Sequence, residues 1–118
     1  MNSGNLYVPE RGDLVWLSFD PRIGHEQSGK RPAIVISSVD YNRKVGLALF
    51  CPITSKKKKY PFEVEICAKK IDGVILSDQV KSLDWRERKA KFICKSEKTT
   101  MVQVIEKLKL LMEIENTD

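Results

Sequence analysis

The chain has 118 residues, of which 42% are hydrophobic and 31% charged, the length and balance of one globular domain. Its longest apolar runs, such as residues 33–36, fall far short of the ~20 residues that cross a bilayer, and its first residues do not resemble a signal peptide, so we expect a cytoplasmic protein with no membrane contact. The net charge of +5 favours a polyanionic partner, and nucleic acid first.

Cysteine and histidine are sparse in this sequence. The three cysteines are far apart, no Cys-x-x-Cys pair occurs, and His25 is the single histidine. Since structural zinc needs clustered sulfur and nitrogen ligands, we expect no metal site and no cofactor. Cys51 and Cys94 end apolar runs and are predicted to be buried thiols.

The first half of the chain is rich in strand-forming residues. Residues 13–19 form the first predicted strand, which Asp20 and Pro21 end. Residues 22–30 then form a polar loop that contains two glycines. The fully apolar residues 33–36 predict a second, buried strand.

Four more strands are predicted before the chain changes its periodicity. They cover residues 44–52, 61–66, 73–76 and 89–94. In the first of these, alternation predicts one buried face that is made of Val45, Leu47, Leu49 and Cys51. In the second, Phe62, Val64 and Ile66 are expected to point inward and Glu63 and Glu65 outward.

The C-terminal segment has the spacing of an amphipathic helix. Apolar residues recur there every three or four positions, at Met101, Val104, Ile105, Leu108, Leu111 and Met112. Thr100 and Gln103 are spaced as a capping box at its start, and a cap earlier in the sequence is the alternative. We therefore predict a single domain over residues 1–118, mainly β, in which short antiparallel strands form a small barrel that a C-terminal helix closes; residues 1–8 and 113–118 are expected to be flexible ends.

Five short segments then match a known family in order and spacing. They are Tyr7-Val8-Pro9, Gly12-Asp13-Leu14-Val15-Trp16, Glu26-Gln27-x-Gly29-x-Arg31-Pro32, Tyr60-Pro61-Phe62-Glu63-Val64 and Asp78-Gln79-Val80-Lys81-Ser82. On these segments, residues 7–112 resemble the MazF/PemK family of toxin endoribonucleases, and its MazF branch in particular. The resemblance implies an SH3-like barrel of the type shared by MazF, Kid and CcdB toxins. It also implies a homodimer, ribosome-independent cleavage of single-stranded mRNA at a short sequence, and inhibition by the disordered C-terminal tail of a cognate antitoxin.

The resemblance assigns catalytic roles by position. Arg31 matches the family's catalytic arginine and Thr54 its catalytic threonine. Both types suit RNA cleavage, because the 2′-hydroxyl of RNA is the nucleophile and the protein needs only to remove its proton and stabilise the charged phosphorus. We expect a 2′,3′-cyclic phosphate and a 5′-hydroxyl, formed without metal. Glu26 and Asp78 are alternative general bases, whereas His25 is expected to be an exposed loop residue.

Candidate RNA contacts lie within the matched segments or close to them in the sequence. They are Gln27, Ser55, Lys56, Lys57, Gln79, Lys81 and Arg86. Residues 56–59 are all lysine, and this lysine run is interpreted either as a phosphate-tracking patch or as a solvated loop. Of the aromatic residues near the polar loop, we favour Phe19 over Trp16 for stacking on a base.

Two other functions remain open from the sequence. The first is a non-catalytic toxin of the same fold that inhibits DNA gyrase. Such toxins depend on a C-terminal Trp-Gly-Ile, whereas this sequence ends in the acidic residues 113–118. The second is a basic module that only binds RNA, and a cleavage assay separates it from the nuclease.

Overall fold

Seven strands and two helices make up the computed structural model over the residues it describes, 6–18 and 29–114. The strands are β1 (Asp13–Ser18), β2 (Lys30–Val35), β3 (Leu47–Thr54), β4 (Glu63–Ala68), β5 (Ile71–Leu76), β6 (Lys81–Asp84) and β7 (Lys91–Lys95). The helices are α1 (Val39–Val45) and α2 (Lys98–Met112). The predicted mainly β fold with a C-terminal helix is confirmed. Within the described ranges, neither helix is long and apolar enough to cross a membrane.

β3 is the strand that organises the sheet. The strands follow the order β4-β5-β3-β2-β1-β7, and β6 also pairs with β3. All these pairs are antiparallel. β3 pairs with β2 as far as Pro52, which lies opposite Ala33, and its last two residues pair with β5 instead. The C-terminal end of β3 therefore lies at a corner, where one pairing ends and another begins.

The central strands are covered on both faces. One apolar cluster contains Leu14, Ile34, Ile36, Cys51, Ile53, Val64, Ile66, Ile71, Ile75, Val104 and Leu108. A second contains Val15, Leu17, Ala33, Val35, Ala48, Phe50 and Trp85. Because alternate residues of β1, β2 and β3 enter different clusters, these strands are buried on both sides, and this explains their nearly continuous apolar sequence. Tyr7 and Val8, inside the end predicted to be flexible, pack on the second cluster.

The strand predicted from residue 44 begins only at Leu47, and residues 39–45 form helix α1, which was not predicted. Ser38 caps this helix by accepting a hydrogen bond from the backbone N–H of Tyr41 at 3.4 Å, and Gly46 ends it with a φ of 84°. Val45 therefore belongs to the helix and is exposed. The predicted face of β3 also changes, because Ala48 and Phe50 are buried as well as Cys51.

Other boundaries differ by a few residues. The strand predicted at residues 61–66 begins at Glu63, and its inward residues Val64 and Ile66 are buried as expected. β6 was not predicted. Of the two cysteines predicted to be buried, Cys51 is buried but Cys94 is partly exposed, and Cys67 is exposed.

Helix α2 packs on β4 and on the first cluster with only part of its apolar stripe. Val104 and Leu108 are buried, whereas Leu111 and Met112 are exposed. The helix begins at Lys98, and its N-cap Glu97 makes no side-chain capping bond. Thr100 and Gln103 lie inside the helix and form no capping box, so the alternative of an earlier cap is the one observed.

Candidate active site

An open cavity of about 700 Å³ lies beside the C-terminal end of β3. It is lined by Arg31, Pro52, Ile53, Thr54, Lys56, Lys58, Lys59, Tyr60, Pro61, Glu63, Leu76 and Gln79. The prolines, Ile53 and Leu76 give it an apolar part, and four of its side chains are cationic. Such a surface offers phosphate contacts beside a place where a base can pack.

Strand register brings Arg31 and Thr54 together at this cavity. Ala33 of β2 lies opposite Pro52 of β3. Arg31 lies two residues before Ala33 and Thr54 two residues after Pro52, so the antiparallel strands carry both to the same end of the pair. Because side chains alternate between the faces of a strand, these two share the face of Ala33 and Pro52. Both line the cavity, which places a permanently charged cation and a hydroxyl on its wall.

Thr54 is held at the end of β3 by local and tertiary contacts. Its Oγ1 accepts a hydrogen bond from the backbone N–H of Lys56 at 3.1 Å. On the neighbouring strand β5, Gly73 lies so close that a Cβ atom there would stand 2.2 Å from the Thr54 carbonyl oxygen. Glycine at position 73 therefore allows β5 to approach the backbone that carries Thr54.

A second cavity of about 480 Å³ shares Arg31, Thr54, Ile53 and Lys56 with the first. Its other lining residues are Trp16, Lys30, Pro32, Ser55, Lys70, Ile71 and Asp72. The two cavities thus adjoin each other at Arg31 and Thr54, and together they are called the groove. Trp16, which is half-buried, is the described aromatic residue of this second part.

Asp78 lies beside the first cavity and contacts it through Tyr60. The Tyr60 hydroxyl donates a hydrogen bond to Asp78 Oδ2 at 2.6 Å, and this bond raises the pKa of Tyr60 above its ordinary value of 10.0. Asp78 Oδ1 is buried without a hydrogen-bond partner among the described residues. Burial, with a smaller effect of the Asp78 charge, raises the pKa of Cys51 to about 12.

The predicted RNA contacts are only partly brought together. Gln79, Lys56 and Ser55 line the groove, whereas Lys57 is absent from the described residues that line it. Lys81 borders a small hollow beside Leu83, and the guanidinium carbon of Arg86 lies 5.3 Å from the centre of the Trp85 ring. Phe19, His25, Glu26 and Gln27 lie outside the described residues.

Sequence reasoning missed several groove residues. Tyr60 and Glu63 stood in a matched segment, and their polar groups at the start of a strand were the available signal. Lys70 and Asp72 carried no local signal, because the start of β5 and the turn before it reach the groove only through the sheet pairing. Across residues 6–18 and 29–114, no three His, Cys, Asp or Glu residues are grouped so as to hold a metal ion.

Solved structures with the same arrangement of strands identify the class of this fold. MazF from Deinococcus radiodurans matches with a TM-score of 0.80 and 46% identity, over 91% of this chain and 98% of that one. The same toxin in a MazE-MazF crystal structure matches with a TM-score of 0.82 and 44% identity, over 90% and 97% of the two chains. The mainly β fold with its C-terminal helix is the MazF toxin fold.

The amino-acid sequence agrees with the fold. The family model described as "PemK-like, MazF-like toxin of type II toxin-antitoxin system" matches residues 10–112. The endoribonuclease toxin MazF of Escherichia coli K12 is 54% identical over 84 residues, which are 71% of this chain and 76% of that protein. The chain therefore belongs to the PemK/MazF family of type II toxins, and its similarity is to the MazF branch.

Proposed function

We propose that this MazF-type endoribonuclease toxin cuts single-stranded RNA at a short sequence, without metal, and leaves 2′,3′-cyclic phosphate and 5′-hydroxyl ends. The observation that carries the proposal is the placement of Arg31 and Thr54 on one wall of an open, basic groove. Both cavities adjoin this pair, which gives a bound strand room on more than one part of the surface around it. The 54% identity to an endoribonuclease toxin supports the same reaction class.

The reaction balances with RNA's own nucleophile. The 2′-oxygen attacks the adjacent phosphorus and gives its proton to a general base, and the bond from phosphorus to the 5′-oxygen breaks. The 5′-oxygen takes a proton to become a hydroxyl. Negative charge grows on the two non-bridging phosphate oxygens, where a guanidinium can donate two parallel hydrogen bonds and remain charged at neutral pH.

Thr54 is suited to donate to the same oxygens. Its Oγ1 already accepts the N–H of Lys56, so the hydroxyl proton is free to point into the groove. A donor fixed before the reaction stabilises developing charge without reorganisation. Arg31 and Thr54 thus provide charge stabilisation from side chains alone, and this is the basis for proposing a reaction that needs no metal.

The partners follow from the family and the charge of the groove. The related toxin from Deinococcus radiodurans was solved together with MazE. We expect a cognate antitoxin whose disordered, acidic tail competes with RNA for the groove, because both would meet Arg31 and the lysine run. A homodimer is proposed as well, since Leu110, Leu111 and Met112 are exposed at one end of α2. The expected location is the cytoplasm.

The decisive experiment is incubation of the purified protein with a long unstructured RNA in EDTA, followed by mapping of each new end. Discrete cuts at one short sequence with 5′-hydroxyl ends, lost in Arg31→Ala, would establish the proposed reaction. A 5′-phosphate product or loss of activity in EDTA would contradict it. Tight binding without cleavage would instead show an RNA-binding module.

A further inference from the structure

One carboxylate binds the backbone of two residues of the lysine run. Glu63, the first residue of β4, is partly buried and lines the larger cavity. Its Oε2 accepts the backbone N–H of Lys58 at 3.0 Å, and its Oε1 accepts that of Lys59 at 3.1 Å. Both oxygens of one side chain are therefore used by two consecutive backbone groups. Such charge-assisted bonds to N–H groups are stronger than neutral ones.

The backbone at this point needs such support. Lys59 has a φ of 57°, a left-handed conformation that is unfavourable for a residue with a Cβ atom. Four consecutive lysines also repel one another, and repulsion favours an extended chain. The observed turn brings Lys56, Lys58 and Lys59 to the cavity wall instead. The two bonds to Glu63 offset both costs.

The negative charge of Glu63 allows a positioning role to be distinguished from a purely electrostatic effect on RNA binding. A carboxylate on the wall of a groove for a polyanion repels the ligand, so electrostatics alone predicts that its removal strengthens RNA binding. Two residues along the same strand, Glu65 is exposed and lies away from this cavity. The two glutamates differ in their contacts with the lysine run and share their charge and strand.

We propose that Glu63 is a positioning residue for RNA, which fixes the lysine run so that its side chains meet the phosphates beside Arg31 and Thr54. The inference rests on the proposed RNA cleavage and concerns substrate binding rather than the chemical step. It predicts that removing a negative charge from the groove weakens the binding of RNA.

The test compares Glu63→Gln with Glu65→Gln in steady-state cleavage of a short RNA. Gln retains one acceptor oxygen, so one of the two bonds is lost and the lysine run is held less firmly. We expect the KM of Glu63→Gln to rise roughly fivefold, the effect of about one net hydrogen bond, with an unchanged kcat. Its salt slope should fall by ~0.7 for each lysine that leaves its phosphate. Glu65→Gln should keep the parental KM and slope.

A double-mutant cycle separates positioning from a general loss of structure. In a chain with Lys56, Lys58 and Lys59 changed to Ala, Glu63→Gln should raise the KM no further, because the groups it positions are gone. Thermal unfolding of each variant checks the fold. If Glu63→Gln melts below the assay temperature, Glu63→Asp, which is too short to reach both N–H groups, should show the same rise.

The outcomes distinguish this inference from the proposed function. An active parent whose KM is unchanged or lowered by Glu63→Gln, or an effect that persists in full without the lysines, would overturn the positioning role. A parent that does not cleave RNA at all would overturn the proposed function instead.

Discussion

Tyr60 and Asp78 are 18 positions apart in the sequence and are joined by a 2.6 Å hydrogen bond between the Tyr60 hydroxyl and Asp78 Oδ2. The bond ties the loop after β3 to the turn after β5. Tyr60 faces the groove, while Asp78 stands behind it with its other oxygen buried. A residue considered as the general base on resemblance is thus engaged with a neighbour, and its contact with the cavity passes through Tyr60.

This relationship predicts that Asp78 acts by orienting Tyr60. A general base contributes ~10²–10⁴ in rate, whereas an orienting bond contributes less. We expect Asp78→Asn and Tyr60→Phe to lower kcat/KM by similar factors of less than about tenfold, and to leave the acidic limb of the pH–rate profile in place. A profile that loses its acidic limb in Asp78→Asn alone would identify Asp78 as the base.

Arg31 is predicted to be essential because of its planar, permanently charged fork. Arg31→Ala should lower kcat by at least ~10²–10³, the usual loss for one preorganised donor. Arg31→Lys should recover little, since an ammonium cannot make the paired bonds. Single-turnover cleavage measures both. Arg43→Ala is the matched control, because Arg43 is an exposed arginine on α1 that pairs with Asp40. An equal loss of kcat in Arg43→Ala would mean that the loss in Arg31→Ala reflects the removal of one positive charge and not the position of Arg31.

The hydroxyl of Thr54 can be tested without changing the shape of the strand. Thr54→Val keeps the branched side chain and removes the hydroxyl, and should lower kcat by ~10² or more. Thr54→Ser keeps the hydroxyl and should retain most of the activity. Cleavage rates and melting temperatures of both variants are compared. A Val variant as active as the Ser variant would leave Thr54 with a structural role only.

Stability is predicted to fall in alkaline solution. The pKa of Cys51 is raised in the folded protein from 9.0 to about 12, because burial disfavours the thiolate. The unfolded chain therefore loses this proton first, and the stability falls as the pH rises from 9.0 towards about 12. Tyr7, which donates to the buried Asp13, has a raised pKa and acts in the same direction above pH 10.0.

Urea unfolding across this pH range checks the sign. Tyr7→Phe should remove part of the decline above pH 10.0. Thiol labelling of the native protein near neutral pH provides an independent check: the exposed Cys67 should react first and Cys51 only after unfolding. Rapid labelling of Cys51 in the folded protein would contradict its burial.

The sequence was sufficient to predict the β fold, because apolar strands are local patterns. It also named Arg31 and Thr54 as members of one site, because the family resemblance assigns both positions. Helix α1 was missed since its seven residues show no apolar stripe, although Ser38 and Gly46 carried its caps. The bond between Tyr60 and Asp78 depends on how two loops meet, which no local pattern encodes. The alternating pattern correctly placed Glu63 on the face of β4 away from Val64. Its hydrogen bonds to the backbone N–H groups of Lys58 and Lys59 could not be predicted, because they depend on the left-handed turn at Lys59.

Gly73 gives the molecule a weakness that has a genetic consequence. Any side chain there meets the backbone of Thr54, which then must move. In cells that survive forced expression of the toxin, inactivating mutations should therefore accumulate at Gly73 as well as at Arg31, although glycine contributes no chemical group. Escape mutations would thus identify a residue of β5 that takes no part in the chemistry.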